Sequence, residues 1–327
     1  IAATRIDSSL SRAEEYKIMS DLKDGQYKIL MIAVERFKNE RFRRFLTGLP
    51  ISLLVIDEAH CISEWGHNFR PDYLKLPVYQ SDFNIPQVLL LTATATPQVI
   101  DDMCDKFKLP RENVTVTGFY RPNLHLRVQP VKEQDKPEKL HSLLKDNPEA
   151  PTIVYVTLQK TAENVAEALN VRGLNSVAYH AGMKYEDREQ IQNNFMAGRV
   201  NCIVATIAFG MGVDKRDIRR VIHYDLPKSL ESYSQEIGRA GRDGAPASTA
   251  MLYGLDDVRM RRQFISDDGS EADHQSREHK RLDALLAYCE ASGCRRQVLL
   301  SYFGETPKPC GNCDNCINPP KLVDASG

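Results

Sequence analysis

Apolar residues in this chain fall into two recurring patterns. Short continuous runs lie at 51–56, 88–91, 152–156, 175–179, 201–205 and 220–224. Runs of this length, bounded by polar residues, predict strands, and the one at 51–56 reads as a strand buried within a parallel sheet. A further strand is expected over 27–34. Between strands the period changes. Ala162, Val165, Ala166 and Leu169 stand at i, i+3, i+4 and i+7, the pattern of an amphipathic helix, and a second helix is expected over about 187–197. Ser11 with Glu14 three residues on has the form of a capping box, opening a helix to about residue 22 that Asp24-Gly25 ends. Strands alternating with helices imply parallel α/β sheets, one in each half of the chain. The segment 128–139, with two prolines and many charges, reads as a surface crossing between the halves.

The C-terminal stretch departs from this alternation. Leu282, Leu285, Leu286 and Cys289 share a helical face, which makes Cys289 a small core hydrophobe. Cys294 opens the segment CRRQVLLSYFGE, and Cys310, Cys313 and Cys316 follow in PCGNCDNC. Four thiolates at this spacing suit a tetrahedral Zn²⁺; an iron–sulfur cluster also takes four cysteines. Gly311 and the Asn and Asp between the cysteines permit tight turns. Cys61, Cys104 and Cys202 are expected to be core thiols. The basic runs 258–263 and 277–281, around a polar linker at 266–276, read as solvated helix faces.

Length and charge narrow the class. With 327 residues there is room for two or three domains with real cores. A net charge of -1 means that any nucleic-acid binding must come from local basic patches. Eight cysteines with only four clustered point to a reduced, intracellular protein with one metal site. No apolar run reaches the ~18 residues of a membrane span, and a secretory signal pattern is not found. A start at Ile1, within what reads as a domain, suggests a fragment.

Candidate chemistry concentrates at strand ends. The run at 51–56 leads into Asp57, Glu58, Ala59 and His60. The carboxyl ends of parallel strands are where open sheets place ligands. Asp57 there suits a phosphate-bound Mg²⁺ and Glu58 an attacking water, although Asp-Glu after a strand also occurs as plain solvated residues. Trp65, the single tryptophan, with His67, Phe69, Arg70 and Tyr73 forms an aromatic-rich loop between Gly66 and Pro71, suited to stacking on bases. The string TATATP at 92–97 contains an N-cap before Pro97. Gly210 and Gly212 permit close backbone approach ahead of Asp214. Arg239 and Arg242, three apart, would share a helix face, and guanidinium groups suit charge developing on a γ-phosphate.

Taken together, ISLLVIDEAHCISEWGHNFRPDY, TATATP, ATIAFGMGVDKRDIRRVIHYDLP, SYSQEIGRAGRDG and the cysteine string resemble the motifs of RecQ-family DNA helicases. The resemblance covers nearly the whole chain and implies an α/β fold. Two RecA-like parallel-sheet lobes, at 1–120 (incomplete) and 121–255, would precede a small helical zinc-binding module at 256–327. It implies ATP, Mg²⁺ and Zn²⁺ as cofactors and a motor that unwinds DNA from 3′ toward 5′ in recombination and repair. In that motor Asp57, Glu58 and His60 form the DEAH box. Gln235, Arg239 and Arg242 act on ATP, Arg242 as arginine finger, while Gly212 and Asp214 sense nucleotide and DNA. Trp65, His67, Phe69, Arg70 and His180 face DNA, and Cys294, Cys310, Cys313 and Cys316 hold zinc. Implied partners are single-stranded and partially duplex DNA and a single-strand-binding protein, with a monomeric motor in the cytoplasm or nucleus. Two departures stand out. Val34 replaces the family's proline before Glu35-Arg36, and Gln159 replaces a common arginine. A phosphate loop of the form GxxxxGK(S/T) does not occur. The alternative is therefore a catalytically incomplete, DNA-binding, zinc-stabilised fragment.

Overall fold

The computed structural model describes residues 1–327 except 8–9, 67, 211–212, 270–271 and 322–327. The chain divides into two compact units, Ile1–Thr115 and Val116–Gly327.

In the first unit β1 (Ala3–Ile6) pairs in parallel with β2 (Ile29–Ile32), and β3 (Leu53–Ile56) with β4 (Gln87–Leu90). Helix α1 (Arg12–Lys23) opens on the expected capping box, with Glu14 N–H on the Ser11 hydroxyl and the Ser11 N–H 2.8 Å from the Glu14 carboxylate. Helices α2 (Glu40–Thr47), α3 (Leu76–Asp82) and α4 (Pro97–Phe107) complete the unit. Thr96 caps α4 through the Val99 N–H, with Pro97 in the first turn, where no helical donor is lost. Phe42, Phe45, Leu76, Val99 and Met103 pack with Ile6 and Ile56 in one core.

These strands form two separate two-stranded sheets, not the one sheet expected in this half, and the core covers one face of them, so the expectation of a fully buried strand at 51–56 is corrected. Leu53 is 43% and Val55 50% exposed. Strand residues alternate between faces, so an apolar run does not by itself show that both faces are covered. Ile29, Met31, Leu89 and Leu91 are exposed likewise. The expected strand at 27–34 is also shorter, because Val34–Lys38 tightens into a 3₁₀ turn.

The second unit is built on a six-stranded parallel sheet of order β5-β10-β9-β6-β8-β7. Its strands are β5 (Leu124–Pro130), β6 (Thr152–Tyr155), β7 (Ser176–Tyr179), β8 (Cys202–Ala205), β9 (Arg220–His223) and β10 (Ala247–Tyr253). Here both faces are covered. Ile153, Ile203 and Val221 point into one core, Val154, Val204 and Ile222 into another. That accounts for unbroken apolar runs in the central strands. Helices α5 (Lys136–Leu144), α6 (Gln159–Val171), α7 (Tyr185–Met196) and α8 (Leu230–Ile237) flank the sheet.

The segment 128–139 is not a surface crossing. It holds the end of edge strand β5, whose Pro130 ends the strand, and the start of α5. Its charges mislead because Lys136 is fully buried. Its ammonium lies 2.7 Å from Asp257, 2.7 Å from Glu133 and 3.4 Å from Asp225. Burial favours loss of its proton, but the carboxylates, Asp257 foremost, outweigh that and hold its pKa above the ordinary lysine range.

Helices α9 (Leu255–Asp267), α10 (Ala272–Glu290), α11 (Arg295–Tyr302) and the short α12 (Asp314–Ile317) follow. Leu282, Leu285, Tyr288, Leu299 and Phe303 join the sheet's own core. The run 277–281 is not wholly solvated: Arg281 is buried and ion-paired with Glu278.

Candidate functional site

In the first unit the candidate residues meet where β3 and β4 end. Leu91 N–H donates to the Ile56 carbonyl and Ala59 N–H to the Leu91 carbonyl, each at 2.9 Å, so the two strand ends are laced together beyond the sheet. Asp57 is exposed, and one of its carboxylate oxygens accepts the Glu58 N–H at 2.8 Å. Glu58 has φ +50, a left-handed conformation that costs a non-glycine residue free energy and is concentrated at functional sites. The turn brings the Glu58 carboxylate 3.3 Å from His60 Nδ1, which also lies 2.9 Å from the Thr92 hydroxyl. Thr92 in turn accepts the Thr94 N–H at 3.2 Å. His60 is 1% exposed and Cys61 is buried behind it. Burial, with the Glu58 charge, pushes the Cys61 thiol up to about 12, so it stays protonated.

The aromatic loop leaves this turn directly. Arg70 N–H returns to the Cys61 carbonyl at 2.9 Å. Gly66 lies so close over the His60 carbonyl that a Cβ there would meet its oxygen at 2.2 Å. Trp65 is 46% exposed and Phe69 half-buried. The Arg70 guanidinium pairs with Glu35 and lies over the Tyr73 ring. Arg36 pairs with Glu15. His67 lies outside the described residues.

In the second unit the candidates again follow strand ends. His180, just after β7, is buried; its Nε2 is 3.4 Å from Glu163, and its Nδ1 has no hydrogen-bond partner among the described residues. Gly182 abuts the Gln159 amide. Arg239 and Arg242 are not on a helix. Helix α8 ends at Ile237, and both arginines lie in the turns that follow, because Gly238 and Gly241 break the helix. They reach one loop nonetheless. Arg239 donates to the Gly210 carbonyl, and Arg242 to the Val213 carbonyl at 3.2 Å and to Asp214 at 3.1 Å. Gly210 has φ +149, and a Cβ there would fall 2.5 Å from the Arg239 guanidinium. Gln235 is half-buried two residues before the end of α8, and Gly212 lies outside the described residues.

The four C-terminal cysteines converge. Their Sγ atoms all lie within 4.8 Å of one another, with Cys294 3.4 Å from Cys310 and 3.9 Å from Cys313, and Cys310 4.0 Å from Cys316. A tetrahedral site with Zn–S of ~2.3 Å has S···S edges of about 3.8 Å, so the donor set fits zinc. Burial would raise the Cys294 thiol, but N–H donors of Cys310 and Gln297 and the neighbouring sulfurs bring it down to about 7, toward the thiolate a metal requires. Asp314 anchors the cluster, accepting Val128 N–H at 2.8 Å and Arg295 Nε–H at 3.1 Å.

Sequence reading missed the buried pairs behind these sites. His223 Nε2 is 2.6 Å from Glu236, and the Tyr302 hydroxyl donates to Glu231 at 2.6 Å. Neither pair has a periodic or spacing signal, since the partners are brought together by packing.

Comparison with known proteins agrees with the order of these parts. Residues 2–103 match the DEAD/DEAH box helicase family, 135–244 the helicase conserved C-terminal domain and 255–317 the RecQ zinc-binding family. The ATP-dependent DNA helicase RecQ of Bacillus subtilis is 38% identical over 97% of this chain and 54% of its own length. The RecQ-like DNA helicase blm-1 of Caenorhabditis elegans is 36% identical over 99% of this chain and 34% of its own. The chain thus spans about half the length of the bacterial relative and less of the animal one. Among solved structures, S. cerevisiae Dbp5 bound to RNA and ADP BeF3 is similar at TM-score 0.57 and 18% identity, covering 80% of this chain and 70% of that one. Mycobacterium smegmatis Lhr bound to ssDNA and AMP-PNP is similar at TM-score 0.59 and 17% identity, covering 88% and 44%. These two likenesses are of fold. With the three families matched in sequence order and relatives aligned along nearly the whole chain, the chain belongs to the RecQ helicase family.

Proposed function

We propose that this chain is the body of an ATP-dependent DNA helicase that moves 3′ to 5′ on one strand and separates duplex DNA in recombination and repair. The observation that carries the reading is His60, which joins Glu58 after β3 to Thr92 after β4. A carboxylate suited to polarising water is thereby tied to a second strand end, so a change at one is felt at the other. Asp57, exposed at the same strand end, is suited to hold Mg²⁺, which when bound neutralises charge on the phosphates. In the second unit Arg242 is assigned to the γ-phosphate and Arg239 to a second phosphate contact, with Gln235, Gly212 and Asp214 reporting nucleotide state. Trp65, His67, Phe69 and Arg70 are assigned to DNA, as is His180. His180 is buried, so its proposed part is to shape the turn that faces DNA. The cysteine cluster holds Zn²⁺ as a structural metal. The reduced thiols suit a cytoplasmic or nuclear setting, and a single-strand-binding protein is a natural partner.

The first test is ATP hydrolysis by this chain with and without single-stranded DNA. DNA-stimulated turnover that Glu58→Gln abolishes while ATP still binds supports the reading; turnover unaffected by that change refutes Glu58 as the water-polarising group. A second reading, a DNA-binding, zinc-stabilised chain without turnover, rests on the lack of a GxxxxGK(S/T) string in these 327 residues. It is favoured if DNA shifts Trp65 fluorescence while ATP is not hydrolysed.

A further inference from the structure

The cysteine-bearing helices and the arginine turn belong to different sequence families, yet they share a buried column of side chains. Helix α8 carries Glu231, Tyr233 and Glu236 and leads directly into Arg239 and Arg242. On its outer side, the Tyr233 hydroxyl is 3.1 Å from that of Tyr288 in α10, and both rings are fully buried. Two residues earlier on α8, Glu231 accepts from the Tyr302 hydroxyl of α11; it is 4% exposed, and its second carboxylate oxygen has no hydrogen-bond partner among the described residues. On its inner side, the Tyr233 ring lies 5.0 Å from that of His223, whose Nε2 meets Glu236. His223 stacks on Tyr155 at 5.4 Å, and the Tyr155 hydroxyl donates to the Phe209 carbonyl at 3.2 Å. The next carbonyl, Gly210, accepts Arg239. At the far end Arg295 donates to the Tyr288 and Cys289 carbonyls and to Asp314, between Cys313 and Cys316.

Plain packing would need only apolar contacts here. A buried carboxylate that accepts a single hydrogen bond loses more when that bond breaks than an exposed one does, so the Tyr302–Glu231 bond resists displacement. That bond and the Tyr233–Tyr288 bond each have one geometry, so together they set both the rotation and the axial position of α8. The two arginines begin two residues after α8 ends, and a shift of α8 moves them.

We propose that Glu231, Tyr233, Tyr288 and Tyr302 are positioning residues for Arg239 and Arg242. The cysteine module thereby holds the arginine turn at a fixed place against Gly210, Val213 and Asp214. This rests on the reading that these arginines act on ATP. It assigns the metal-bearing module a part in hydrolysis that is separate from DNA binding.

The test uses the zinc-loaded protein with saturating single-stranded DNA, following ATP turnover, zinc content and thermal melting. Tyr288→Phe and Tyr302→Phe are each expected to lower kcat about tenfold, the scale of losing one buried hydrogen bond. KM for ATP stays within about twofold, and zinc remains at one per chain. Glu231→Gln keeps an acceptor for Tyr302 and is expected to retain kcat within about threefold. In an Arg242→Lys background the Tyr288→Phe effect shrinks below about twofold, because both changes act on the same step. Wild-type kcat in folded, zinc-loaded Tyr288→Phe and Tyr302→Phe overturns the proposal, as does full additivity with Arg242→Lys. Tyr288→Phe removes only a hydroxyl, so it decides the matter even if Tyr302→Phe strands Glu231 and fails to fold. If Arg242→Lys itself leaves turnover unchanged, the functional reading falls, and that result is distinct from the others.

Discussion

His60 Nδ1 lies 2.9 Å from the Thr92 hydroxyl, joining the turn after one strand to the turn after its neighbour. The ring is buried, and a hydrogen bond left unmade there costs about 1–3 kcal/mol. Thr92→Val keeps the shape and removes the hydroxyl. It is expected to lower DNA-stimulated ATP turnover about tenfold while leaving ATP affinity within about twofold. Steady-state kinetics beside an ATP-binding titration checks this, and an equal loss in both would place Thr92 in nucleotide binding instead.

Gly210→Ala introduces a methyl 2.5 Å from the Arg239 guanidinium at a φ of +149. Strain at such a backbone position costs on the order of 1–3 kcal/mol, and Arg239 must move. Turnover is expected to drop by at least about tenfold with only a modest fall in Tm. Arg239→Ala combined with Gly210→Ala should melt higher than Gly210→Ala alone; a double variant that melts lower would show that the clash is not with Arg239.

Metal removal should unfold more than the cysteine loop. Cys313 is fully buried, and its cluster shares a core with the six-stranded sheet. Because structural zinc couples to folding directly, Cys313→Ser or chelation is expected to cost at least about 4 kcal/mol, roughly 10 °C in Tm. Metal analysis and circular dichroism read both effects together. A zinc-free protein with unchanged melting would make the metal dispensable.

Alkali should expose the buried tyrosines as a stability term. Burial pushes Tyr233 up to about 12 and Tyr288 well above its ordinary value; burial and the Glu231 charge do the same to Tyr302. An unfolded tyrosine loses its proton near pH 10. Their contribution is therefore whole below about pH 10 and declines as pH rises above it, because the unfolded chain ionises first. Melting from pH 8 to 12, with tyrosinate absorbance followed in parallel, should show Tm falling from about pH 10 and late ionisation accompanying unfolding. Tyr288→Phe should flatten that fall.

Much of this protein was legible in its residues, because period, capping and short motifs are local. Strands β2–β4 and β6–β9 and helix α6 followed from apolar spacing, the start of α1 from Ser11 and Glu14, and the cysteine cluster from cysteine spacing, whereas β1, β5 and β10 were not read from the residues. Tertiary structure decided what depends on distant partners. Lys136 reads as surface charge until Asp257, 121 residues away, is packed against it. Arg239 and Arg242 share a target without sharing a helix, since the loop they reach is fixed by the sheet and not by their own spacing. Strand β3 looks buried in sequence and exposes one face in the fold, because an apolar run records the side chains and not what covers them. Local order is written in neighbouring residues; burial, pairing and the placement of charge arise only when remote segments meet and water leaves.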